Sequence, residues 1–131
     1  MLRFDRSAQL FRSRPWTEIQ DRFHEMAKSH PEFRHMADIA DSVVECGKTG
    51  ELAATTSMHD LVVARLPIAE PPVDVVIVSS PSSMNVVAAG EVRIDHLAVT
   101  GHDERLERPV ADAVPLFWRF MIEKFGVQPN P

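Results

Sequence analysis

Histidine is the most visible residue type in this chain that could do chemistry, with six copies. His24, His30 and His35 fall in or between two segments of helical period. No two of them stand three or four residues apart, the spacing that puts two ligands on one helix face. There is no His-Glu-x-x-His and no Cys-x-x-Cys, so the sequence carries no metal-ligand spacing and no metal is expected. His35 and Asp38 share a helix face and could hydrogen-bond; otherwise these histidines read as solvated helix positions.

His96 is the strongest candidate. It lies in Glu91–Val99, where Val92, Ile94, His96 and Ala98 alternate with Glu91, Arg93 and Asp95. Alternation places His96 on the apolar side of a strand and Asp95 on the other, so Asp95 is not its partner. A buried imidazole needs a partner, since an unsatisfied buried donor costs roughly 1–3 kcal/mol. A satisfied core histidine is the simplest expectation. A ligand site at His96, with Asp95, His102 and Asp103 at its rim, is the alternative. The segment 100–108 places His102, Asp103 and Glu104 after a glycine. Adjacent residues rarely converge on one cation without a third ligand from elsewhere, so this reads as a charged, solvated loop.

Ser79-Ser80-Pro81-Ser82-Ser83 lacks the glycines and lysine of a phosphate loop and is not a Gly-x-Ser-x-Gly elbow. It is read as a flexible polar turn. Cys46 falls at the end of a predicted helix, where the dipole disfavours a thiolate, and reads as a small packed residue. Asp21, Glu25, Glu32, Asp38, Asp41 and Glu45 lie on polar helix faces, with no two marked as an acid/base pair. No catalytic residue and no cofactor is assigned.

The elements that must position these residues are legible in the periodicity. Trp16, Ile19, Phe23, Met26 and Ala27 make one apolar stripe and predict a helix over 15–29. Phe33, Met36, Ala37, Ala40, Val43 and Val44 predict a second over 31–46, closed by Gly47 as C-cap. Val110, Val114, Phe117, Trp118, Met121 and Phe125 predict a last helix over 109–125. Pro115 should kink it or move its start to near Asp112. The seven Phe and two Trp all fall within residues 4–33 or 117–125, and there is no Tyr. Valine dominates residues 62–99 instead, which suits a pleated sheet. Strands are predicted near 60–66, 72–79, 85–89 and 91–99. Over 58–66 a short helix competes, because Ser57 and Asp60 have capping-box spacing. The expected architecture is α+β: two N-terminal helices, a three- to four-stranded, mainly antiparallel sheet, and a C-terminal helix packed on one face.

The strand around Val73–Val78 is apolar on both sides. Such a strand is central and covered twice, or it meets a second copy, which suggests a homodimer through the sheet or an exposed apolar patch.

Length and charge bound the rest. At 131 residues the chain is expected to be a single domain (1–131). One cysteine allows no internal disulfide, and neither a signal-peptide pattern nor a membrane-length apolar run is visible. The bacterial cytoplasm is the expected location. The net charge is −5, and residues 1–14 carry four Arg against one Asp, so a basic arm precedes an acidic body. The arm is expected to fold back on that body rather than seek an anionic partner. An acidic body and strands without aromatics argue against nucleic acid. The sequence therefore points to a small non-enzymatic protein-binding or regulatory module that meets a protein partner or itself. The alternative is a small enzyme or ligand-binding domain with a site between sheet and helices near His96.

Overall fold

The structure, a computed structural model, describes residues 11–129. Eight elements follow in order: α1 (Trp16–Ser29), α2 (Arg34–Glu45), β1 (Leu52–Ser57), β2 (Asp60–Arg65), β3 (Val75–Ser79), β4 (Glu91–Leu97), β5 (Glu104–Pro109) and α3 (Ala113–Phe120). A 3₁₀ turn at Pro31–Phe33 leads into α2, and a π-helical turn at Met121–Phe125 extends α3. The fold is α+β, and the described residues form three α-helices and five strands rather than three or four.

The strands form one antiparallel meander in the order β1-β2-β3-β4-β5. Its register sorts side chains cleanly. Ala54, Val63, Val76, His96 and Glu104 make one row across the sheet, and Leu61, Val78, Ile94 and Leu106 the next. These rows face the helices. Phe23, Met36, Val43, Phe117, Phe120 and Met121 cover them, all 2% exposed or less. The helix stripes read from the sequence are the faces that pack, with Val110 the exception, being 38% exposed. Trp16 Nε1 donates to Leu52 C=O at 2.8 Å, and Trp118 Nε1 to Ser42 Oγ at 3.0 Å. Both indoles thus keep a polar partner while burying their rings.

The opposite face of the sheet is also covered. Phe11, Val73, Leu66 and Ile68 pack on Val62, Ala64, Val75 and Ile77. β3 is therefore a central strand buried on both sides, and its second face is not an open apolar patch. The basic arm lies outside the described residues except at its end. There Arg14 N–H donates to Ala54 C=O at 2.7 Å and its guanidinium pairs with Glu18 at 3.2 Å.

Helix ends follow the sequence. Pro15 is the N-cap of α1, and Gly47 turns left-handed at φ 69°. There Gly47 N–H bonds to Val44 C=O and Lys48 N–H to Val43 C=O, closing α2 as a Schellman motif does. Asp112 is the N-cap of α3, so Pro115 falls in the first turn, where its missing N–H costs nothing.

Two expectations are corrected, and one alternative is resolved. Residues 85–89 form no strand: Asn85 N–H turns back to Ser83 Oγ at 3.1 Å and its amide to Ser79 Oγ at 3.2 Å. Local bonds of this kind compete with a ladder. Residues 104–108, read as loop, and Pro109, read as the start of the last helix, are edge strand β5, where charge is tolerated because one side of the strand faces water. The strand expected near 60–66 is β2, and the competing helix over 58–66 does not form: Ser57 and Asp60 face each other across a two-residue turn. Met58 and His59 occupy that turn at φ 54° and 73°, values that ordinary side chains adopt at a cost.

Candidate functional site

The residues singled out around His96 do not converge. His96 lies on the helix side of β4, 8% exposed, with Phe125 edge-on at a centroid distance of 6.3 Å. Neither ring nitrogen has a hydrogen-bond partner among the described residues. No described residue therefore satisfies it in the way expected of a core histidine. Burial lowers its pKa, against the opposing pull of Asp74 and of the nearby Asp103 and Glu104 carboxylates. Asp95 stands on the other face and is held by Arg93, Nε to Oδ1 at 2.8 Å. Asp103 caps the β4–β5 turn by accepting from Ala98 N–H at 2.8 Å. His102 is exposed at the tip of that turn, its backbone N–H on Thr100 Oγ1 at 3.3 Å.

Two of the helix histidines, His24 and His35, also depart from simple solvation, whereas His30 is exposed as expected. His24 Nε2 sits 2.9 Å from both oxygens of Asp41, a carboxylate that also accepts from Gln20 at 2.9 Å. His35 is buried and acts with Asp38 only through charge, while Asp38 accepts from Arg34 Nε at 3.1 Å. One His35 nitrogen bonds to the Glu32 backbone, while Nε2 has no partner among the described residues. Burial lowers this pKa too.

The serine run is more ordered than a flexible turn. Ser79 and Ser80 are fully buried. Asp60, at the start of β2, accepts from Ser80 N–H at 2.8 Å and Ser83 Oγ at 2.9 Å, which pins the loop to the sheet. Burial raises the Asp60 pKa, and the Ser80 N–H opposes that rise. Beside it, between Met58, Ile77 and the Arg93–Asp95 pair, lies a void of about 30 Å³, room for about one water.

A much larger concavity lies elsewhere. A cleft of about 580 Å³ runs between the start of α2 and the loop from Pro81 to Glu91. Its walls are Val87, Ala88, Ala89, Val110 and Ala111 on one side and Pro31 and His35 on the other. Glu32, Asp38, Glu91 and Arg34 also line it, three carboxylates against one guanidinium. Val86, one residue before the wall, is 85% exposed, and Met84 is 57% exposed. That volume is within the usual range of binding pockets. The sequence hid this site because its aliphatic wall reads as a strand. The signal present was a Val-Val-Ala-Ala run ending in glycine, next to a serine-rich turn.

Among the described residues no group of three or more His, Cys, Asp or Glu could hold a metal, and no helix is long and apolar enough to cross a membrane. A scan against protein-family models found no match, and no curated protein and no solved structure matched the chain.

Proposed function

We propose that this protein is a non-enzymatic binding module. It seats an aliphatic segment of a partner protein, one that also carries Lys or Arg, in the cleft at the start of α2. The observation that carries this reading is the cleft itself: aliphatic walls of Val87, Ala88, Ala89 and Val110 beside a net-acidic rim of Glu32, Asp38 and Glu91. Apolar walls supply contact area, and acidic groups at the margin select a basic partner and repel a phosphate backbone. The exposed Val86 extends the contact beyond the cleft. The single Cys46 and the absence of a disulfide framework support action in a reducing compartment, the bacterial cytoplasm.

Selection from a random displayed peptide library against the full chain tests this reading. Selected peptides should combine aliphatic residues with Lys or Arg and should lose binding to Ala88→Asp. Peptides rich in acidic residues, or equal binding to the variant, would refute it.

A second reading has one observation in its favour. His96 keeps two buried ring nitrogens without partners, an arrangement that a small ligand at the end of the sheet could satisfy. A metabolite that raises the melting temperature of the protein but not of His96→Leu would establish it.

A further inference from the structure

β5 has a neighbour on one side only among the described residues. The other edge of the sheet, β1, is partly covered by the bridge from Arg14 to Ala54. Val110 N–H donates to Gly90 C=O at 2.9 Å just beyond β5. Bonding residues alternate in an antiparallel ladder, and Glu91 faces Pro109, which has no N–H to give. The even-numbered residues of β5 therefore bond to β4, and Arg105 and Glu107 turn their N–H and C=O outward.

The side chains along this edge read Glu104-Arg105-Leu106-Glu107-Arg108-Pro109. We propose that β5 pairs with β5 of a second copy of this chain, antiparallel, about a two-fold axis at Leu106. In that register Glu104 faces Arg108 of the second copy, Arg105 faces Glu107, and Leu106 faces Leu106. Every charged pair is then of opposite sign, and each occurs twice by symmetry. Shifting the register by two residues either way sets Arg105 against Arg105 or Glu107 against Glu107. Shifting it by one puts helix-side residues opposite outward ones. The same charges that discourage unspecific edge pairing thus select one register.

Among the described residues this edge is only partly satisfied: Arg108 Nη1 donates to Glu107 C=O at 2.7 Å, a bond that a pairing strand would replace with its own N–H. Arg105 lies opposite Asp95 and Glu107 opposite Arg93, but Arg93 and Asp95 are bonded to each other at 2.8 and 3.2 Å. Neither Arg105 nor Glu107 forms an ion pair with a described residue. Glu104 is held by Lys124 at 2.5 Å, and Arg108 of the second copy would join that pair. Leu106, half-buried against the helices, would carry their apolar layer across the junction. The result is a ten-stranded sheet with β1 at both outer edges.

A charge swap tests this directly. Sedimentation velocity across 1–100 µM, about the range of a weak to moderate dimer, should show the wild-type chain moving from one copy to two. Arg105→Glu alone and Glu107→Arg alone each create two like-charge pairs, and each should weaken dimerisation roughly tenfold or more. Mixed in equal amounts, the two variants restore every opposite pair, so the mixture should dimerise as the wild type does. A wild-type chain monomeric throughout would overturn the proposal. So would variants that dimerise unchanged, or a mixture that stays monomeric. Should either variant fail to fold, amide exchange of the wild type decides. The Arg105 and Glu107 amides should be protected at high concentration and exchange freely at low, and concentration-independent exchange would overturn the proposal.

Discussion

Replacing His96 by leucine is expected to make this protein more stable. The imidazole is 8% exposed, and neither nitrogen has a partner among the described residues. A neutral ring offers one donor and one acceptor, and each costs roughly 1–3 kcal/mol when buried without a partner. Leucine removes both needs at similar volume. It forfeits the edge-on contact with Phe125, for which aromatic pairs suggest about 0.5–1.5 kcal/mol. The balance is a gain of about 0.5–5.5 kcal/mol. For 131 residues the unfolding entropy is about 0.28 kcal/mol per degree, so the melting temperature should rise roughly 2–20 °C. His96→Asn, which keeps the polar demand and opens a void, should instead melt lower.

The same residue shapes the response to acid. Burial lowers the His96 pKa below its ordinary value of 6.5, so the unfolded chain binds more protons as pH falls through that value. Wild-type stability should therefore drop below about pH 6.5, and His96→Leu should drop less. His35 is lowered too and keeps part of the slope in both proteins. Calorimetry at pH 5 and pH 7 reads both effects. A variant that melts at or below the wild type, or an unchanged acid slope, would refute the reasoning.

Asp60→Ala should cost about 2–3 kcal/mol, because it strands the buried Ser80 N–H and frees Ser83, with faster amide exchange over residues 80–85 as the specific sign. The raised Asp60 pKa adds a contribution of opposite sign to the histidines. Its contribution falls as pH rises from the ordinary aspartate value and so offsets part of the loss in acid; Asp60→Asn should remove that offset and steepen the acid limb seen by denaturant titration just above that value. Replacing Met58-His59 by Asn-Gly suits both left-handed turn positions and should raise stability by about 1 kcal/mol in urea unfolding, net of the lost His59 contact with Phe33. Ile94→Ala empties a fully buried position between the sheet and the helices and should cost about 2–5 kcal/mol by the same measurement.

What the sequence conveyed depended on how periodic each segment is. α1, α2 and α3 carry bulky stripes at helical spacing, and Pro15, Gly47 and Asp112 mark their ends, so their limits were legible to within a residue or a few. β4 alternates strictly and was legible for the same reason. β1 is Leu-Ala-Ala-Thr-Thr-Ser, with no alternation to read, and it is a strand because β2 pairs along its whole length. β5 carries four charged residues in six, and only its register with β4 makes it a strand. The side of the sheet that His96 and Asp95 face was deducible from parity alone. That His96 lacks a partner was not, since it depends on Phe125 arriving from the far end of the chain. The cleft at α2 was hidden for a related reason: its two walls lie about fifty residues apart in sequence and meet only through the sheet.

The central claim is that the cleft between the start of α2 and the 81–91 loop is where a partner binds. The most direct measurement is a nuclear magnetic resonance titration of the full chain with a library-selected peptide, following every backbone amide. The expected result is saturable shift changes confined to residues 31–38, 86–91 and 110–111, lost in Ala88→Asp. Shifts centred on His96 and the 98–104 turn, or spread along β5 alone, would contradict it and move the binding site elsewhere on the fold.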